Sequence, residues 1–324
     1  MKDLAATALD TAQQAAEASS SSDSDEFGLP RFCYIGCGSW GCRRVAAGLA
    51  DRSYDTAPRI PLQQLTTSIY VGRPETACPV RTATDFRHNA ARTSAGGDRD
   101  GCDDRLVAAI TETDICLLTL SLTDADAVTT AVTLARKAVN TPVLVFAATD
   151  GQHAETTLQR LTTAANTTLL FDESVIREGP LGHTATPTDE LTARLAREFI
   201  TDAVEIPTIS GAIGTRYPRV ASYWDTGGLT IPSLARLGSD APTAARPPES
   251  LLPLARTSAE TEAWVGYVVG GKQFTLDEFD RLRTTLQATV GERAAENGVL
   301  GGRVHPDMET GRYLTLLQMC GDER

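Results

Sequence analysis

The chain has 324 residues, 41% of them hydrophobic, which is enough to bury one large α/β unit or two ordinary domains. Asp and Glu number 42 against 30 Lys and Arg, and the resulting net charge of −12 argues against general nucleic-acid binding. No apolar run approaches the roughly 20 residues that cross a bilayer, and the N-terminus lacks a secretory pattern. We therefore expect a cytoplasmic protein without a membrane span.

The charged residues are unusual in kind as well as in balance. Only three lysines occur, at Lys2, Lys137 and Lys272. An acidic, lysine-poor surface suits a salty cytoplasm, because a Debye length of about 3 Å at 1 M salt screens the self-repulsion. This composition favours a halophilic, archaeal source, with an ordinary acidic protein as the alternative. The seven cysteines and four histidines show no metal-ligand spacing, so no metal site is predicted.

Residues 1–28 are predicted to form a disordered acidic tail. The stretch 18–26 is polar, acidic and without periodicity. Such a segment buries too little apolar area to offset the entropy that ordering it would cost. A solvated tail is the simpler interpretation, and a docking peptide is the alternative.

The ordered chain begins with a strand, a glycine-rich turn and a helix. Residues 32–35 are apolar, residues 36–41 read Gly-Cys-Gly-Ser-Trp-Gly, and residues 43–51 have helical spacing. Glycines let the backbone approach phosphate oxygens, and a helix start supplies free N–H groups, so this arrangement is typical of a phosphate cradle. A tight turn without a ligand is the alternative, and the bulky Trp40 inside the turn favours it.

Strands and helices then alternate, which predicts a mostly parallel sheet. Residues 87–105 are polar and Gly-rich and are predicted to be loop. Asp124 and Asp126 lie at a predicted helix N-terminus, where the helix dipole favours carboxylates. The predicted strands are 66–71, 114–120, 142–147 and 168–171, and the predicted helices are 124–139, 153–164 and 187–202.

The composition changes after Ile206. Residues 211–228 are predicted to be irregular, and residues 239–253 form a Pro-rich connection. A second compact unit follows, with strands predicted at 263–269, 299–304 and 313–319. Between the first two strands, Thr275 and Glu278 form a capping box for a helix. This helix is predicted to bury Phe279, Leu282, Leu286 and Val290.

The order of these elements resembles that of the FtsZ/tubulin superfamily, over about residues 31 to 322. Residues 35–41 resemble the first nucleotide loop, and residues 94–97 resemble the loop that faces the γ-phosphate. The most specific match lies at residues 264–278, with a further one at residues 301–306. The resemblance implies an α/β fold with a Rossmann-like, parallel-sheet nucleotide-binding domain, a central helix and a smaller α/β C-terminal domain.

The resemblance also implies domain bounds and a ligand. The GTPase-like domain would span residues 29–186, the connecting core helix 187–205 and the C-terminal FtsZ/tubulin-like domain 206–322. GTP or GDP is implied as the ligand, with no nucleotide at all as an equal alternative. The residues implied to bind it are Gly36, Cys37, Gly38, Ser39, Gly41, Gly96, Gly97 and Thr123.

The chain departs from the family pattern where the family binds and hydrolyses GTP. The glycine-rich tubulin signature is matched by residues 121–127, which contain no glycine and two carboxylates. The two acids of the family's catalytic loop are matched by Arg216 and Arg219, and an Arg cannot polarise attacking water as a carboxylate does. The Asp that reads guanine is matched by Arg197, beside Glu198, although an alignment shift of one residue would restore an acid there.

These departures predict a pseudo-GTPase that acts as a scaffold or regulator in cell division or cell-shape control. Its implied partner is FtsZ or another tubulin-superfamily protein, or a second copy of itself. In that last case Arg216 and Arg219 would meet Asp124 and Asp126 of the neighbouring subunit. An active, divergent GTPase that forms filaments is the first alternative. An NADP-binding oxidoreductase is the second, because Arg73 follows the second strand where an NAD-binding protein has an acid.

Overall fold

The computed structural model divides the chain into two compact units, Met1–Pro30 and Arg31–Arg324. All described residues belong to the second unit. They are 31–50, 66–72, 87–89, 104–151, 155–178, 217–224, 228–237, 252–253, 255, 260–304 and 312–320. The predicted tail 1–28, the predicted phosphate loop 94–97 and the predicted helix 187–202 lie outside these ranges, so those three predictions stay predictions.

The described residues form eleven strands and eight helices. The strands are β1 (Phe32–Cys37), β2 (Thr66–Gly72), β3 (Arg87–Asn89), β4 (Ile115–Ser121), β5 (Val143–Thr149), β6 (Thr167–Asp172), β7 (Leu229–Leu237), β8 (Leu252–Pro253), β9 (Thr261–Gly270), β10 (Gly298–Val304) and β11 (Arg312–Cys320). The helices are α1 (Gly38–Ala50), α2 (Asp104–Thr111), α3 (Ala125–Lys137), α4 (Glu155–Ala164), α5 (Glu173–Glu178), α6 (Tyr217–Trp224), α7 (Leu276–Thr289) and α8 (Glu292–Ala295).

All these strands belong to a single sheet of order β10-β9-β11-β7-β6-β5-β4-β1-β2-β3, with β8 paired to β7. The neighbours from β7 through β6, β5, β4, β1 and β2 to β3 are parallel. Beyond β7, strand β11 runs antiparallel to both β7 and β9, and β10 is parallel to β9. This topology confirms the predicted α/β class with a mostly parallel sheet.

Both faces of the parallel region are buried, which explains why its strands read as continuous apolar runs. Alternate residues of β1 face opposite ways. Tyr34 joins the core that contains Val45 of α1 and Trp224 of α6. Its neighbour Ile35 joins the core of α2, α3 and α4 on the other face, beside Ile110. Helix α1 therefore lies on one face of the sheet and α3 on the other.

Two predictions for the loops were wrong. The segment 87–105, predicted to be loop, contains β3 and the first residues of α2. The segment 211–228, predicted to be irregular, contains α6. In α2 the apolar residues that reveal helical spacing, Leu106 and Ile110, lie beyond that window. In α6, Val220, Tyr223 and Trp224 have helical spacing, but the glycines and prolines around them favoured an irregular segment.

The helix that follows β9 was predicted correctly. Thr275 accepts a hydrogen bond from the Glu278 N–H at 3.3 Å, and the Glu278 carboxylate accepts one from the Thr275 N–H at 2.9 Å. This capping box satisfies two of the N–H groups that a helix start leaves without partners. Phe279, Leu282 and Leu286 are buried on the helix and Val290 on its C-cap, as the spacing predicted.

Candidate functional site

The topology marks one place on the sheet as the expected binding crevice. From β1 the chain continues through α1 to β2, on one side of β1. From β4 it continues through α3 to β5, on the other side. Strands β1 and β4 are neighbours, so the connections diverge between their carboxyl ends. In open α/β sheets, ligands bind in this crevice.

Two glycines of the turn are explained by packing alone. A Cβ built at Gly36 would lie 2.6 Å from Cα of Cys42. A Cβ built at Gly41 would overlap the carbonyl oxygen of Thr119 on β4. The Cys42 thiol donates to the Gly36 carbonyl at 3.2 Å, which joins α1 to β1. These glycines let α1 lie directly on the strands, so they do not require a bound ligand.

Gly38 and Asp124 form the centre of the crevice. Gly38 is the first residue of α1 and has φ +70°, a left-handed conformation that favours glycine. Asp124 is the N-cap of α3, and its Oδ1 accepts the Ala127 N–H at 3.1 Å. A Cβ built at Gly38 would overlap Oδ2 of Asp124 and lie 3.2 Å from its Cγ. The Asp124 carboxylate therefore lies between the starts of α1 and α3.

The segment between β4 and α3 is ordered by its own hydrogen bonds. The hydroxyls of Ser121 and Thr123 lie 2.8 Å apart, and the Thr123 N–H donates to the Ser121 hydroxyl at 3.4 Å. Leu122 is buried and donates its N–H to the Ala148 carbonyl at 2.7 Å. Paired hydroxyls and an anchored apolar residue therefore hold this segment in place between β4 and α3.

Trp40 extends from the first turn of α1 over the middle of β5. Its ring stacks on Phe146 with centroids 6.2 Å apart and an interplanar angle of 9°. The Arg44 guanidinium lies 5.3 Å from the centroid of the indole ring. The indole N–H donates to Glu173 Oε1 at 3.2 Å, at the start of α5. Through its hydrogen bond, the half-buried indole thus joins α1 to the end of β6. Its ring also makes an aromatic stack with Phe146 and a cation–π contact with Arg44.

The ends of β5 and β6 add further carboxylates. Asp172 Oδ1 accepts from the N–H and hydroxyl of Ser174, at 2.9 and 2.6 Å. Gly151 has φ +89°, and a Cβ there would lie 2.9 Å from the Ser174 hydroxyl. Because carboxyl ends of parallel strands meet at one edge, Asp172 and Glu173 share that edge with Asp124 and Asp126. The sequence predictions missed both, although they come directly after the predicted strand 168–171.

The structure brings together some of the predicted site residues. Gly36, Cys37, Gly38, Ser39, Gly41 and Thr123 lie at the carboxyl ends of β1 and β4. Gly96, Gly97, Arg197, Glu198 and Arg216 lie outside the described residues. The backbone of Arg219 is in α6, but its side chain is not described. The predicted contact of Arg216 and Arg219 with a neighbouring subunit stays a prediction.

Two buried cysteines, Cys116 in β4 and Cys320 in β11, have thiols that resist deprotonation. Burial raises the pKa of the Cys116 thiol well above its ordinary value, and the neighbouring Cys33 and Cys37 raise it further. Burial also raises the pKa of Cys320 to about 11, with a smaller contribution from Glu262. A thiol must lose its proton to attack or to bind a metal. Within the described residues, no three His, Cys, Asp or Glu side chains are grouped to hold a metal ion.

No helix of the described ranges is long and apolar enough to cross a membrane. Neither a family model nor a curated protein matches the sequence. Solved structures do match the fold. An FtsZ dimer, described as empty, from M. jannaschii is 16% identical, with 91% of this chain and 89% of that chain covered and a TM-score of 0.68.

Two further matches come from proteins solved as protofilaments. A GTPγS-bound protofilament of CetZ2 from Haloferax volcanii is 16% identical, with 91% and 94% of the two chains covered and a TM-score of 0.63. A GDP-form protofilament of TubZ from Bacillus thuringiensis serovar israelensis is 11% identical, with 90% and 85% covered and a TM-score of 0.64. The chain thus has the same fold as FtsZ, CetZ2 and TubZ.

This fold implies a guanine nucleotide, and the described part of the crevice does not fit its phosphates. The start of α3 is capped by the carboxylate of Asp124, which also fills the space beside Gly38. Asp126 follows in the first turn of the same helix. Carboxylates repel phosphate groups unless a cation lies between them. The two glycines that match a cradle at Gly36 and Gly41 are accounted for by helix packing.

Proposed function

We propose that this chain is a tubulin/FtsZ-like cytoskeletal protein that acts as a non-hydrolysing scaffold or regulator in cell division or cell-shape control. The observation that carries the proposal is the Asp124 carboxylate at the glycine turn, between the starts of α1 and α3. An enzyme that cleaves a triphosphate needs positive groups and free N–H donors around the transferred phosphoryl group. At this turn the chain places an acceptor where donors are needed.

Assembly with a second subunit is the second part of the proposal. The fold is one that FtsZ, CetZ2 and TubZ use in structures described as a dimer or as protofilaments. A chain that keeps this fold without turnover can join a filament and stay there, because no hydrolysis step triggers its release. We propose FtsZ or another tubulin-superfamily protein as the partner, and a second copy of this chain as the alternative.

A halophilic cytoplasm is the proposed setting. The net charge of −12 and the scarcity of lysine support it, because molar salt screens repulsion among the carboxylates. The experiments below therefore use the full chain in molar KCl.

The deciding experiment measures phosphate release from GTP by the purified chain, with an active FtsZ assayed in parallel as the positive control. Calorimetry with GTP, GDP and NADP accompanies it, followed by co-sedimentation with filaments of that FtsZ. We expect no phosphate release, and enrichment of the chain in the filament pellet. Turnover of GTP would replace the proposal with an active GTPase. NADP binding with nicotinamide-dependent absorbance changes would replace it with an oxidoreductase.

A further inference from the structure

The two oxygens of the Asp124 carboxylate lie at two different helix starts. Oδ1 accepts the Ala127 N–H in the first turn of α3 at 3.1 Å. Oδ2 lies against Gly38, the first residue of α1. Each helix start carries about half a unit of positive charge, and the two together favour an anion in the space between them. We infer that Asp124 is an internal substitute for a bound phosphate, which holds the crevice closed without any ligand.

An ordinary N-cap does not account for this contact. A cap needs one side-chain oxygen directed at the N2 or N3 N–H of its own helix. Thr275 caps α7 in that way, through its single hydroxyl and the Glu278 N–H. Asp124 does the same with Oδ1 and has a second oxygen at the start of a different helix, on the opposite face of the sheet. Asp126, two residues further along α3, is exposed.

The turn has a conformation that admits this carboxylate. With φ +70° and no Cβ, Gly38 leaves the space that Oδ2 fills. Any other residue at this position would have a strained backbone, and its side chain would occupy the space that the carboxylate fills. The carboxylate and the missing side chain are therefore complementary.

A second side chain fills the same edge from within. Trp40, two residues after Gly38, stacks on Phe146, lies close to the Arg44 guanidinium and donates to Glu173. The chain thus links α1 to α3 through Asp124 and α1 to α5 through Trp40. A bound nucleotide would make these links depend on a ligand. In this chain, side chains of the protein itself make them. The inference rests on the proposed non-hydrolysing function, since it names how the site is kept closed.

The test removes the carboxylate but keeps a cap. Asp124→Ser retains a side-chain oxygen that can cap α3. Asp126→Asn is the matched control, because it removes the same charge two residues further along the helix. Thermal unfolding of the full chain is followed with inorganic phosphate up to about 100 mM, at an ionic strength matched by KCl. We expect phosphate to raise the Tm of Asp124→Ser by about 2–4 °C and to leave the wild type and Asp126→Asn unchanged.

An equal response of all three proteins to phosphate overturns the inference. If Asp124→Ser does not fold, Asp124→Asn repeats the test, because Asn keeps both the cap and the size of the side chain. GTP turnover by the wild type would contradict the proposed function, whereas an equal phosphate response with no turnover contradicts only the role of Asp124.

A double-mutant cycle measures the contact itself. Gly38→Ala adds a Cβ that overlaps Oδ2 of Asp124, and its backbone strain is common to both backgrounds, so it cancels in the cycle. We expect Gly38→Ala to reduce the folding equilibrium constant about tenfold more in the wild type than in Asp124→Ser. Equal reductions would show that the carboxylate does not fill the space beside Gly38, and would remove the basis of the inference.

Discussion

Two regions of this molecule use the same structural devices for different ends. Around β9, α7 and β10, a buried Trp264 donates to the Ala294 carbonyl at 3.1 Å, and glycines make room for aromatic rings. Around the glycine turn, Trp40 donates to Glu173, and Asp124 caps α3 beside Gly38. In the first region the contacts are inside a core. In the second they lie near the carboxyl edge of the sheet, where open α/β sheets in general bind ligands.

The difference shows which parts of a binding fold are free to change. Packing at β9, α7 and β10 fixes the shape of the domain, so a change there affects the folded state as a whole. At the carboxyl edge, packing fixes the backbone positions of Gly36 and Gly41. Side chains around such positions can change in chemistry while the fold is kept, because a fold does not dictate an activity.

The largest expected effect comes from the two tryptophans. Trp264 is 1% exposed, so Trp264→Ala leaves a cavity in the core and should lower the free energy of unfolding by about 3–5 kcal/mol. Trp40 is half-buried, so Trp40→Ala should lower it by roughly 1–2 kcal/mol, through lost stacking and partial burial. Urea unfolding in molar KCl measures both. Equal losses of unfolding free energy would mean that Trp40 contributes as much to the core as Trp264 does.

Glycine replacement in the turn gives the next effect. Gly41→Ala places a Cβ on the Thr119 carbonyl, a backbone atom that cannot turn away, and overpacking of this kind costs about 1–3 kcal/mol. Helix propensity alone would make this change favourable by roughly 1 kcal/mol. Arg43→Ala, at an exposed position of α1 two residues further on, is the control and should change the free energy of unfolding by less than about 0.5 kcal/mol. Stabilisation by Gly41→Ala would show that α1 does not lie on β4 as described.

The sequence predicts the first of these regions far better than the second. The capping box, the buried positions and the strands around α7 can all be predicted from the spacing of nearby residues. Burial requires apolar residues at regular positions, so the pattern is visible in the sequence. Contacts at the edge join residues far apart in the chain, such as Trp40 to Glu173 and Asp124 to Gly38. No local pattern encodes such pairs. The sequence did place Asp124 at a helix start, and did note the bulk of Trp40, but not what either side chain contacts.

The cap of α7 is expected to have a smaller effect. Thr275→Ala removes the oxygen that accepts the Glu278 N–H and should lower the free energy of unfolding by about 1 kcal/mol. Thr275→Ser retains that oxygen and should stay within a few tenths of a kcal/mol of the wild type. Urea unfolding of the two variants side by side checks this. A loss of equal size in both would assign the effect to the methyl group and not to the cap.

The smallest effect should come from the ion pair of Arg293 and Glu262, which lies on the surface beside β9. The guanidinium and carboxylate are 2.8 Å apart, but the side chains are 67% and 44% exposed. Water and salt therefore weaken their attraction, and Arg293→Ala should lower the free energy of unfolding by about 0.5 kcal/mol or less. In molar KCl the loss should be smaller still, because the Debye length falls to about 3 Å. Unfolding of the variant and the wild type at low and at molar KCl tests the point. A loss that does not shrink in molar KCl would show that the arginine acts through packing of its stem, since salt weakens the charge interaction and leaves apolar contacts intact.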